Sequence, residues 1–164
     1  MSRSLKSMTV IFLCLAAIGS ALAAAHAQET GSIAYGVLKS NCVKSCAEAE
    51  DAMAFCNQYC DCTVSELKSK GDASAVRAVL ASEAALTEVA LMCAGRTTMD
   101  RILTDCAEDC GAEPECRKSC SCLSDKLKAF GTETEFGDLI TRAGQDDPKA
   151  LAQMEALKNA CPRS

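Results

Sequence analysis

The cysteines are the residues whose type and spacing could do chemistry in this sequence. After residue 28 they run Cys42-x3-Cys46, Cys56-x3-Cys60-x-Cys62, Cys93, then Cys106-x3-Cys110, Cys116-x3-Cys120-x-Cys122, Cys161. Three chemistries use sulfur at such spacings. Deprotonated thiolates in C-x-x-x-C and C-x-C clusters suit copper(I) or zinc, with Met53, Met92, Met99 and Met154 as further thioether donors. Cys60-Asp61-Cys62 and Cys120-Ser121-Cys122 are close enough for reducible bridges, although C-x-x-C, the usual redox motif, does not occur. The third is structural bridging, which an even cysteine count favours wherever the surroundings are oxidising.

The N-terminus indicates such surroundings. A basic start (Arg3, Lys6), an apolar run from Met8 to Ile18 and the A-x-A site Ala25-His26-Ala27 read as an export signal over residues 1–27. Cys14 lies within its apolar stretch. The expected mature chain, residues 28–164, has 137 residues, 12 cysteines and a net charge of −7, and its location is periplasmic or secreted. It has no histidine, because His26 is the sole one and leaves with the signal. Ser-His-Asp and Cys-His catalysis are thereby excluded, as is a histidine proton shuttle. The acidic balance, with no basic patch, argues against nucleic acid. No other segment is apolar for the ~18 residues that a membrane helix needs.

Leu, Ile, Val and Phe number 23 of those 137 residues. A core so thin needs covalent support, and the cysteine pattern supplies it twice. Cys60-Asp-Cys62-x4-Leu67-Lys68-x2-Gly71 matches Cys120-Ser-Cys122-x4-Leu127-Lys128-x2-Gly131. This duplication defines two six-cysteine units, residues 28–95 and 96–164, with a boundary near Gly95 to Thr97. Thr97-x-x-Asp100 resembles a capping box there and predicts a helix start.

The positioning elements all read as helices. Ile33, Val37 or Leu38, Cys42 and Cys46 form one stripe, and Met53, Cys56, Cys60, Val64 and Leu67 a second that stops at Gly71. Met99, Leu103, Cys106 and Cys110 repeat the first, while Cys116, Cys120, Leu123 and Leu127, from Pro114 to Gly131, repeat the second. Thr132-x-x-Glu135 opens a short helix, and Asp147-Pro148 caps a last one.

Cysteines four apart on one helix have Cβ atoms about 5–6 Å apart, whereas a disulfide wants about 3.5–4.5 Å. Two such helices laid antiparallel bring outer cysteines together and inner ones together. The spacing therefore predicts Cys42–Cys60 with Cys46–Cys56, and Cys106–Cys120 with Cys110–Cys116. Cys62 and Cys122 point about 200° away from their C-x-C neighbours and face Cys93 and Cys161. A straight helix returning from Gly71 would carry Cys93 roughly 18 Å past Cys62 at 1.5 Å per residue, so the pairing needs a break in the chain, placed near Ala81-Ser82; without one, Cys93 must pair elsewhere, such as across the units. The expected fold is all-α, a tandem repeat of two disulfide-stapled hairpins with short covering helices.

Paired C-x-x-x-C motifs on a helical hairpin resemble the small Tim chaperones of the mitochondrial intermembrane space and the wider coiled-coil-helix cysteine proteins. The resemblance spans Cys42 to Cys60 and Cys106 to Cys120. It implies a stapled hairpin and a holdase role. Phe55 and Tyr59, four apart near the face that carries Cys62, are expected to support the covering helices, or to form a hydrophobic patch for a client if exposed. The residues themselves lead to a non-enzymatic binding or structural protein without a cofactor, its partner an unidentified protein or small ligand. Thiolate binding of copper or zinc and thiol–disulfide exchange are the alternatives. The acidic groups Glu48, Glu50 and Asp51 at one hairpin tip, and Glu108, Asp109, Glu113 and Glu115 at the other, read as solvated turns and helix entries.

Overall fold

The computed structural model describes residues 33–46 and 53–161. The expected signal over 1–27, Cys14, Glu48, Glu50 and Asp51 lie outside these residues. Seven helices follow one another among them: α1 (Tyr35–Cys46), α2 (Met53–Ser69), α3 (Ala73–Ala81), α4 (Glu83–Cys110), α5 (Pro114–Phe130), α6 (Glu133–Gly144) and α7 (Pro148–Asn159). The fold is all-α.

Local signals place most helix ends. Asp72 opens α3 by accepting from the Ser74 and Ala75 amides, and Asp147 opens α7 by accepting from those of Lys149 and Ala150. Thr132 and Glu135 form a reciprocal capping box at α6. The break between α3 and α4 falls at Ser82, which accepts the Ala85 amide and turns the chain through 96°. No single described helix is long and apolar enough to cross a membrane; α3 and α4 pass by composition only as this sharply bent pair.

One expectation fails. No helix starts at Thr97, because α4 runs unbroken for 28 residues from the first unit into the second. Thr97 is buried on it rather than exposed at an N-terminus. Gly95, read from sequence as a boundary, sits inside this helix because α6 crosses it there with no side chain between. A Cβ at Gly95 would run into the Glu133 carbonyl, and one at Gly137 into that of Leu91. The fourth element of the first unit is thus the first half of a long shared helix, not a short cover.

The α4/α6 contact is the most extensive helix pair among the described residues. Around it α1 packs on α2, α2 on α4, α5 on both α4 and α7, and α6 on α7. The two units share one hydrophobic core. Phe55, Cys56, Tyr59 and Cys60 of the first meet Leu127, Phe136, Leu139, Ile140 and Ala143 of the second through Cys93 and Ala94. Phe55 stacks on Tyr59 at 6.1 Å, and Phe130 meets Phe136 edge-on at 5.8 Å.

Gly137→Ala should lower urea-denaturation stability by about 2 kcal/mol, since the clash is with backbone and cannot be relieved by a rotamer change. Gly36→Ala, which has nothing within 4 Å of the new methyl, should raise stability by about 0.5 kcal/mol. Equal effects at both positions would refute the backbone contact.

Candidate functional site

All twelve cysteines of the described residues are bridged, and the pairs are the ones antiparallel register requires. Cys42 joins Cys60 and Cys46 joins Cys56 between α1 and α2; Cys106 joins Cys120 and Cys110 joins Cys116 between α4 and α5. Cys62 reaches Cys93 on α4, and Cys122 reaches Cys161 beyond α7. The Cα separations run from 5.3 Å at Cys110–Cys116 to 5.9 Å at Cys122–Cys161. The last two bridges span 31 and 39 residues and tie each hairpin to its following helices.

The hairpins differ in environment. In the first hairpin Cys46, Cys56 and Cys60 are at most 1% exposed and Cys42 is half-buried, whereas in the second Cys106, Cys116 and Cys120 are half-buried and only Cys110 is buried. There the sulfurs of Cys106, Cys110 and Cys120 all lie within 4.8 Å of one another. Met92, Met99 and Met154 pack on the core, and Met53 is exposed on α2.

Beside the α4/α6 crossing, Arg96 joins the two units. Its guanidinium donates to Glu133 on α6 at 2.8 Å and to Glu66 on α2 at 2.9 Å, and lies 3.7 Å from the Cys62 sulfur. Hydrogen bonding first to Glu133 and then to Glu66 raises its pKa above the usual arginine range. Sequence reasoning missed this triad. Its members are 30 and 37 residues apart and carry no local pattern.

The acidic side chains divide into two kinds. Glu108, Asp109, Glu113 and Glu115 are exposed around the second hairpin tip, with Glu115 paired to Lys118. Asp72, Glu135 and Asp147 are caps, and backbone amides hold each carboxyl below its ordinary value: Ala75 and Ser74 for Asp72, Thr132 for Glu135, Lys149 and Ala150 for Asp147. Phe55 and Tyr59 are 3% and 1% exposed, so they form no surface patch; burial pushes the Tyr59 hydroxyl up in pKa and keeps it protonated. Asp100, Leu103, Thr104, Ala107 and Glu108 of α4 line an open groove. No protein-family model, curated protein or solved structure matches the chain.

The depressed cap carboxyls fix a pH dependence. Their folded pKa values lie below the unfolded ones, so their stabilisation is complete above the ordinary carboxylate range and is lost as pH falls through the folded values. The melting temperature should stay flat from about pH 7 to 5 and drop below about pH 4. Asp147→Asn, which keeps a capping oxygen, should flatten part of that drop in thermal melts across pH.

Proposed function

We propose that this chain is an exported, non-enzymatic helical module, held rigid by its bridges, that works by surface recognition of a protein or small-ligand partner. The observation that carries this reading is that every described cysteine is committed to a bridge. The titrating groups with shifted values support it. They are helix caps, an ion-pair hub, the Arg142 partner of Asp138 and a buried core tyrosine, with no pair set apart for acid–base work. Six bridges fit an oxidising compartment. An open groove on α4, with Leu103 and Ala107 flanked by Asp100 and Glu108, could take a partner with a small apolar contact and a basic rim.

Two other readings are narrower. Copper(I) or zinc binding is favoured by the three-sulfur cluster of Cys106, Cys110 and Cys120, and it needs their bridges reduced first. The holdase role implied by the Tim resemblance loses its client patch with Phe55 and Tyr59 buried. The exported protein, purified without reductant and alkylated in denaturant, should show no added mass, and its native mass should equal that of the bare chain. Alkylated thiols or a chelator-sensitive adduct would replace this reading with redox or metal chemistry.

A further inference from the structure

The two hairpins are built on one spacing, yet three of the four cysteines are half-buried in the second and only Cys42 is in the first. The Sγ atoms of Cys110 and Cys120 lie 3.2 Å apart although each is bonded to a different partner. Cys110–Cys116 also closes a loop of only six residues, against ten for its counterpart Cys46–Cys56. Opening the shorter loop releases less chain entropy, so this bridge restrains the fold least. Exchange occurs by attack of a thiolate on a disulfide sulfur and depends on access. Here access, a weakly restraining bridge and a second bridge in contact coincide.

We propose that the second hairpin is a thiol–disulfide exchange site for an external thiol, with the other four bridges remaining closed. An incoming thiolate bonds to the half-buried Cys116 sulfur, and the Cys110–Cys116 bond breaks to leave Cys110 as the thiolate. The Cys110 thiolate then attacks the adjacent Cys120 sulfur; Cys110–Cys120 forms, Cys106–Cys120 breaks, and Cys106 leaves as a thiolate that takes a proton from water. The products are a mixed disulfide on Cys116, a Cys110–Cys120 bridge and a Cys106 thiol. The number of disulfides is unchanged, so no net oxidant or reductant is consumed. With a dithiol, its second thiol displaces Cys116 from the mixed disulfide, and two electrons pass from the dithiol to the protein.

The surroundings select the thiol. Between residues 105 and 118 five carboxylates (Asp105, Glu108, Asp109, Glu113, Glu115) face two cations, Arg117 and Lys118. Lys118 is held by Glu115, and Arg117 donates to the Gly111 carbonyl. This rim repels an anionic thiol and favours a neutral or cationic one.

The test is native-state reduction of the oxidised protein by dithiothreitol, with acid quench, alkylation and peptide mapping. Cys106 and Cys116 should label first, and Cys110 and Cys120 after a second reduction, all roughly tenfold faster than Cys42, Cys46, Cys56 and Cys60 while helical ellipticity is retained. Uniform labelling, or labelling that keeps pace with loss of ellipticity, would overturn the proposal by showing that the bridges open only on unfolding. With monothiols, mapping should recover the Cys110–Cys120 cross-link and an adduct on Cys116. Cysteamine should form them faster than glutathione at low salt, with the gap closing near about 1 M salt. Equal rates at low salt would overturn the selection by charge.

Discussion

Where α4 and α6 cross, no side chain separates the two backbones. Gly95 lies against the Glu133 carbonyl and Gly137 against that of Leu91, which draws the helices together and lets one core serve both halves of a duplicated chain. A bulkier residue at either position would push the helices apart and uncover Cys93, Ala94 and Phe136, which sit beside the contact fully buried. Arg96, one residue beyond Gly95, adds a charged clasp between α2 and α6 at the edge of the same crossing. The half-exposure of Arg96 limits what that clasp contributes to stability, so its larger effect is on how α2 and α6 are set relative to each other.

The bridges answer a different need. With so few large apolar residues, α1 and α5 bury little. Cys46 alone is buried on α1, and Leu127 alone on α5. Helices of this kind are marginal by themselves, and the staples to α2 and α4 confine them. The same duplicated spacing then gives two outcomes. In the first hairpin all of the bridged cysteines but Cys42 sink into the core; in the second, which extends along α4 away from the crossing, all but Cys110 stay half-buried. A structural motif repeated in sequence therefore acquires a chemically distinct copy through its place in the fold.

Much of this was legible in the sequence. Cysteine spacing carries the hairpin register, because four-residue steps on antiparallel helices admit one unstrained pairing. The break at Ser82 follows from the reach of Cys93, and the ends at Gly71, Gly131 and Asp147 follow from local chemistry. The continuity of α4 was not legible. Gly95 with Thr97 and Asp100 has the appearance of a helix boundary, and only the arrival of α6 from 40 residues downstream explains a glycine inside a helix. Arg96 with Glu66 and Glu133 was hidden for the same reason. Such contacts depend on tertiary placement, which no periodicity encodes. The difference in exposure between the hairpins was likewise invisible, since their motifs are nearly the same.

That both repeat units are one body built on an unbroken α4 is tested most directly by native-state hydrogen exchange of the backbone amides from Ala94 to Thr98. The account predicts protection there equal to the slowest core amides, lost only in global unfolding. Fast exchange across Gly95 to Thr97, with the two halves opening separately, would contradict it.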